Sequence, residues 1–307
     1  MAFLLKDLLN KPETITSGHR LCPGCAAPII AKHVLMSTDY PVVVANATGC
    51  LEVSTTIYPY TAWNIPWIHN AFENAAATIA GVESAYKALS KKGKINRKIK
   101  FIAFGGDGGT YDIGIQALSG ALERGHDIVY VCYDNEGYMN TGAQRSGATP
   151  KGASTTTEPA GKVSYGKKMR RKDLTAIAAA HHIPYAAQAS LSHWQDLMQK
   201  AKKAIEVDGP AFLNVLSPCV RFWRIPMNKT IEISKLAVET NFWPLFEVEN
   251  GKWKLNFKPR ERKPIIEWIK AQGRYKHLLK DENRAVIDEI QKEIDEYFAW
   301  LEKMCSE

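Results

Sequence analysis

The 307-residue chain has no long hydrophobic run, and nothing in it approaches the roughly 18–20 apolar residues of a membrane span. No membrane partner is therefore expected. The first residues, Met1-Ala2-Phe3-Leu4-Leu5-Lys6-Asp7, form no extended apolar stretch with a cleavage site, so no secretory signal is expected. Cysteine is scarce. Six in 307 residues cannot staple a chain of this length, which excludes a disulfide scaffold and suits reduced thiols in a cytoplasmic protein. Acid is in deficit, with 32 Asp and Glu against 40 Lys and Arg, for a net charge of +8. No nucleic-acid-binding motif accompanies that excess, so nucleic acid is not an expected partner. What remains is ordinary globular material. Hydrophobic residues make up 45%, enough to bury a core and too many for a disordered chain.

Strand-like and helix-like segments alternate. Apolar runs at 41–45, 100–104, 128–133, 185–189 and 211–216 read as strands. Between them, helices are predicted over 69–89, 112–124, 173–181 and 193–207, with one more starting at Pro28. Such alternation predicts an α/β fold with a doubly wound parallel sheet covered on both faces. That block is expected to span 1–224. Residues 225–307 differ: Trp, Lys and Arg crowd 240–263, and 283–303 reads as a charged amphipathic helix. They are expected to form a C-terminal extension that wraps the core or meets a partner.

The strongest local signal is Gly105-Gly106-Asp107-Gly108-Gly109, at the end of a predicted strand. In a doubly wound sheet, ligands bind beyond the carboxyl ends of the strands. The amides of Gly106, Gly108 and Gly109 can approach a phosphate there. A carboxylate beside a diphosphate needs a cation between them, and Mg²⁺ with its oxygen ligands supplies one. Asn135 lies 28 residues after Asp107, one helix and one strand later, and so returns to the same sheet edge as a second oxygen ligand. The competing reading is a tight glycine turn and an unrelated turn asparagine.

A second constellation is made of cysteines. Cys22 and Cys25 form a C-x-x-C, and Cys50 and Cys219 each sit at a turn after a predicted strand. Four thiolates suit a [4Fe–4S] cluster or a structural zinc, and spacing alone does not choose between them or exclude unrelated cysteines. Cys132 lies inside a strand and reads as a small core residue, and Cys305 as a free tail thiol.

The two sites together carry a resemblance. Gly18–Cys25, Asn46–Val53, Pro66–Ala76, Gly105–Gly125, Tyr133–Gly142, Trp243–Glu247 and Ala271–Arg274 are similar to the β subunits of pyruvate (2-oxoacid):ferredoxin oxidoreductases, which are thiamine diphosphate enzymes. The resemblance implies the diphosphate-binding type of α/β domain. It implies that Asp107, the Asn135 side chain and the Gly137 carbonyl hold Mg²⁺, and that Tyr138 and Cys50 border the thiamine diphosphate. Asn140 is implied as the catalytic neighbour of the thiamine ring. Cys22, Cys25, Cys50 and Cys219 are implied to hold a [4Fe–4S] cluster, which favours iron–sulfur over zinc.

The implied reaction is oxidative decarboxylation of a 2-oxoacid, foremost pyruvate, to an acyl-coenzyme A and CO₂, or the reverse. Electrons leave for ferredoxin. The implied partners are an α subunit carrying the pyrimidine half and the activating glutamate, and a ferredoxin-like γ/δ subunit. Glu73 is not expected to be that glutamate. A non-redox thiamine diphosphate decarboxylase half with structural zinc is the competing reading.

Relatives have alanine where Gly137 stands, which a carbonyl ligand tolerates. They have aromatics where Lys151 and Ser154 stand, and a different segment from Val220 to Trp223. Added charge from Lys151 or Arg221 suggests a relative that oxidises the dianion oxalate without coenzyme A. The basic run of Lys162, Lys167, Lys168, Arg170, Arg171 and Lys172 is expected in a solvated loop or a subunit contact. His69, opening a helix, and His181-His182, closing another, are expected to be structural.

Overall fold

The computed structural model describes residues 3–306. In chain order the elements are α1 (Leu5–Leu8), α2 (Ala27–Met36), β1 (Val42–Ala47), α3 (Cys50–Thr55), β2 (Trp67–Asn70), α4 (Ala75–Lys91), β3 (Lys100–Gly106), α5 (Ile115–Glu123), β4 (Val129–Asp134), α6 (Leu174–Ala179) and β5 (Tyr185–Ser190). They continue through α7 (Trp194–Glu206), β6 (Ala211–Leu216), α8 (Thr230–Glu239), β7 (Leu245–Glu249), β8 (Lys252–Phe257), α9 (Ile265–Lys270) and α10 (Arg284–Met304).

Among the described residues the strands form one sheet in the order β2-β1-β3-β4-β6-β5-β7-β8. The first six run parallel, while β7 and β8 add an antiparallel hairpin at one edge. Strands β4, β5 and β6 are buried at every position, as strands covered on both faces must be. On one face Ile30 and Val34 of α2 and Leu197 and Ala201 of α7 pack against Val44, Val131 and Leu213. On the other, Ile79 of α4, Leu118 of α5, Ala178 of α6 and Leu301 of α10 cover Ala103, Tyr130 and Phe212. The doubly wound sheet expected from the sequence is present, with the hairpin as an addition.

Three expectations need correction. The helix predicted over 69–89 starts only at Ala75, because Trp67–Asn70 pairs with β1 instead, in the register Val44↔Trp67 to Ala47↔Asn70. His69 thus lies in a strand. The helix predicted from residue 112 is preceded by a wide π turn over Gly108–Asp112, so α5 begins at Ile115. Glycine makes that turn possible: a Cβ on Gly108 would lie 2.4 Å from the Tyr138 ring, and one on Gly109 would lie 2.9 Å from the Phe72 carbonyl oxygen. Finally, the Trp- and Lys-rich segment over 240–263 contributes β7 and β8 to the sheet. Trp253 stacks on Phe246 and meets Trp300 edge-on, which ties the hairpin to α10.

Helix α10 buries Ile287, Ile290, Ile294, Phe298 and Leu301, a spacing of three and four that lays one face on the body. A third core gathers Met139, Ala143, Ala153, Leu216 and residues from Val220 to Ile294 around Trp223, Trp243, Trp268 and Tyr275.

Candidate functional site

Strands β1, β3, β4 and β6 are consecutive neighbours in the sheet, and all run the same way. Their carboxyl ends therefore open on one edge. Cys50 follows β1, Asp107 follows β3, Asn135 follows β4 and Cys219 follows β6. Residues 169 positions apart in sequence meet because the topology returns each strand to that edge.

Asp107 is fully buried. Its Oδ1 accepts from the Asn135 backbone N–H at 3.1 Å, and its Oδ2 accepts from the Ser146 hydroxyl. Burial, and then the nearby charge of Asp134, push its carboxyl well above the usual carboxylate range. Such a group calls for a cation. The end of the Asn135 amide lies 2.8 Å from Asp107 Oδ1 and 2.8 Å from the Gly137 carbonyl oxygen. As nitrogen that atom would donate to both; as oxygen it completes a triangle of three oxygens with no proton between them. An octahedral ion with ligands at about 2.1 Å places neighbouring oxygens about 3 Å apart. The donor set therefore fits Mg²⁺ in chemistry and in spacing. Tyr138 closes the site from the side, donating to the Gly108 carbonyl at 3.0 Å and to Asp112 at 3.3 Å.

The cleft at this point is lined by Gly106, Gly108, Gly109, Tyr138, Asn140 and Cys50, among others, and encloses only about 20 Å³. Small-molecule sites enclose roughly 300–1,000 Å³.

Beside it lies a cavity of about 390 Å³ that all four cysteines line. Cys22, Cys25, Cys50 and Cys219 are free thiols. Burial, with the neighbouring thiols adding to it, pushes Cys25 and Cys50 up to about 12. A thiol held protonated this way is released to thiolate when iron or zinc binds. Among the described residues no three His, Cys, Asp or Glu side chains converge as ligands of a single ion. The cavity they help to line has room for more than one ion. The donor set fits a polynuclear iron–sulfur cluster. Cleft and cavity share Cys50, Asn135, Met139, Asn140 and Thr141 as their common wall. Asn140 is exposed on that wall.

Other expectations fare differently. Lys151 does not face this edge. It pairs with Glu289 and Glu293 of α10, which neutralises the charge invoked for an oxalate substrate. Arg221 does line the cysteine cavity. The basic run is a solvated loop only in part: Lys172 and Arg170 are exposed but paired, with Asp112 at 2.9 Å and with Glu293 and Glu296, whereas Arg171 turns inward to Asp134 at 2.6 Å and Glu136 at 3.0 Å. Lys167 is buried and donates to the carbonyls of Ser146, Gly147 and Thr149. Desolvation pushes its ammonium down to about 8. Lys162 and Lys168 stay exposed. His181 bridges Ser119 and the Ile177 carbonyl, a structural role as expected. Glu73 lies exposed in the turn before α4.

Sequence reasoning passed over Ser146 and Thr149 as site residues. Ser146 bonds Asp107, and Thr149 bonds both the Ser146 amide and the Glu136 carbonyl. They lie in a loop with no element of its own, and no local spacing signals them.

Residues 47–215 match the family described as thiamine pyrophosphate enzyme, C-terminal TPP binding domain. The chain is 59% identical over 298 residues to pyruvate synthase subunit PorB of Thermotoga maritima, covering 95% of this chain and 92% of that one. It is 54% identical to PorB of Methanocaldococcus jannaschii, with 93% and 95% covered. It is 45% identical to ketoisovalerate oxidoreductase subunit VorB of Pyrococcus abyssi, with 95% and 93% covered. The solved 2-oxoglutarate:ferredoxin oxidoreductase of Magnetococcus marinus superposes with a TM-score of 0.57 at 22% identity, over 76% of this chain and 83% of that one, and shares the fold. A sheet edge carrying a buried aspartate and four gathered thiols, and relatives of this identity over nearly the full length, lead to one conclusion: the chain belongs to the pyruvate synthase β subunits, within the thiamine pyrophosphate enzymes.

Proposed function

We propose that this chain is the catalytic β subunit of a 2-oxoacid:ferredoxin oxidoreductase that converts pyruvate, coenzyme A and oxidised ferredoxin to acetyl-CoA, CO₂, a proton and reduced ferredoxin carrying the two electrons released, or runs the reverse. One observation carries the reading: the glycine-lined cleft and the thiol-lined cavity share Cys50, Asn135, Met139, Asn140 and Thr141 as lining residues. A non-redox enzyme has no use for that adjacency. Bound thiamine diphosphate supplies carbanion stabilisation, and a [4Fe–4S] cluster supplies a one-electron acceptor. Asp107, Asn135 and the Gly137 carbonyl would hold Mg²⁺ against the diphosphate. Cys22, Cys25, Cys50 and Cys219 would hold the cluster. Asn140, on the shared wall, would orient the substrate, and Arg221 would add positive potential over the cavity. The room among the thiols supports iron–sulfur over zinc.

The 20 Å³ cleft supports a second wall from a partner, an α subunit with the pyrimidine half and its glutamate. A ferredoxin-like γ/δ subunit would carry electrons onward to ferredoxin. Among the described residues no helix is long and apolar enough to cross a membrane. We place the complex in the cytoplasm, where its thiols stay reduced.

The test is EPR of the anaerobic complex mixed in turn with pyruvate, 2-oxoisovalerate and oxalate, with and without coenzyme A. The expected result is a reduced-cluster signal with pyruvate that coenzyme A accelerates. A preparation with zinc, no iron and no signal would sink the reading. A signal with 2-oxoisovalerate or oxalate alone would replace the substrate.

A further inference from the structure

The end of the Asn135 amide lies 2.8 Å from both Asp107 Oδ1 and the Gly137 carbonyl oxygen, while the carboxylate of Glu136, between them in sequence, is held by Arg171 and Arg274. Glu136 sits at φ +67°, in the left-handed region that non-glycine residues seldom occupy. Strain of this kind persists where the surroundings over-determine it. Here they do. The Glu136 N–H donates to Asp134 Oδ1 at 3.1 Å, and its carbonyl accepts from Thr149 at 2.8 Å. Its buried carboxylate is gripped on both oxygens, Oε1 by Arg171 at 3.0 Å and Oε2 by Arg274 at 2.5 Å.

Arg274 comes from 138 residues away. It is 4% exposed. Its Nε donates to Gln272 at 2.9 Å, and its guanidinium lies 3.9 Å over the Trp223 ring. Trp223 in turn donates its indole N–H to the Asn135 carbonyl at 2.8 Å. Gly273 is needed for this approach, since a Cβ there would lie 2.6 Å from the Arg224 side chain. The stretch Gln272-Gly273-Arg274 thus has one job per residue, and it reaches two successive residues of the β4 exit turn.

We propose that Arg274, seated by Gln272 and Trp223, is a positioning residue that locks the Asn135–Gly137 turn in its cation-ligating shape from the C-terminal part of the chain. It touches no substrate. Charge supports the assignment. Arg171 pairs with both Asp134 and Glu136, and Arg274 with Glu136, so fixed charges hold the turn from two sides. Removing Arg274 would leave Glu136 half-paired in a dry site and free the turn to relax from φ +67°.

The proposal rests on the reading of Asp107, Asn135 and Gly137 as a cation site, and the test separates the two. The intact complex is stripped of divalent metal and titrated with Mn²⁺ in the presence of thiamine diphosphate, with free Mn²⁺ followed by EPR. The variants are Arg274→Met, Arg274→Lys, Glu136→Gln and the double variant Arg274→Met/Glu136→Gln. Arg274→Met is expected to weaken Mn²⁺ binding by roughly 10–100-fold, the range for residues that orient a ligand. The visible absorption of the complex should not change. Arg274→Lys, which keeps the charge and loses the planar fork, should recover part of the loss. The double variant should be no weaker than the worse single one, because both break the same pair.

Mn²⁺ affinity within about twofold of the parent in Arg274→Met, or effects that multiply in the double variant, would overturn the proposal. If Arg274→Met fails to assemble, Arg274→Lys and Glu136→Gln carry the test under the same criterion. A parent complex that binds no Mn²⁺ defeats the cation reading itself, and the positioning role with it.

Discussion

Asp107 and Cys219 make separable demands on the same sheet edge. The aspartate is buried beside the glycine-lined cleft, and the cysteine lines the cavity next to it. Asp107→Ala should therefore abolish thiamine diphosphate retention and lower turnover by more than the roughly 100-fold typical of an outer-shell change, while the visible absorption of the complex persists. Cys219→Ala should do the opposite, bleaching the absorption and leaving cofactor retention largely intact. Absorption spectra and bound thiamine diphosphate, measured on both variants, check the pair. Loss of both signals in either variant would mean that the two sites fold as one unit.

At the scale of elements, α10 is the one whose docking changes a functional reading. Lys151 holds it through Glu289 and Glu293, and Arg170 through Glu293 and Glu296. Tyr297 adds a hydrogen bond to Asp173 at 2.7 Å. Lys151→Tyr should lower the thermal midpoint of the complex and leave kcat/KM for pyruvate and any oxalate turnover within about twofold. The expected loss is on the order of 1 kcal/mol, since surface ion pairs contribute little and this one is mostly covered. Altered oxalate kinetics would restore the electrostatic role that this geometry removes.

The elements also show what could be read in advance. Strands β3, β4, β5 and β6 were legible because strands buried on both faces read as apolar runs, and their order placed Asp107, Asn135 and Cys219 on one edge. Strand β2 was not: it is four residues long, and its two central positions, Ile68 and His69, are exposed, so it merged with the helical pattern that follows. Strand β8 carries a period-two signal, Lys252-Trp253-Lys254-Leu255, that the charge of the segment obscured. The basic run looked solvated because the partners of Arg171, Asp134 and Glu136, lie 37 and 35 residues upstream. Long-range pairing of this kind leaves no local pattern.

Taken whole, the described residues build one sheet, and the cleft at its strand ends, about 20 Å³, is too small to enclose a cofactor. The purified chain alone should bind thiamine diphosphate far more weakly than the assembled complex and show no decarboxylation. Titrating the partner subunits back while following cofactor binding by calorimetry checks this. Full affinity in the isolated chain would show that the second wall is dispensable.

The spread of the thiols along the chain has a consequence for synthesis. Cys219 follows Cys22 by 197 residues, and Arg274 follows Asn135 by 139. At roughly 5–20 residues per second, the first pair of thiols leaves the ribosome about 10–40 s before the fourth. Throughout that interval a nascent C-x-x-C is open to any soft metal or oxidant in the cell. The chain can bring its four thiols together only after β6 has joined the sheet, and it can fasten the Asn135–Gly137 turn through Arg274 only when translation is nearly finished. Assembly of this sheet edge is therefore ordered by the ribosome, and an N-terminal fragment cannot imitate it.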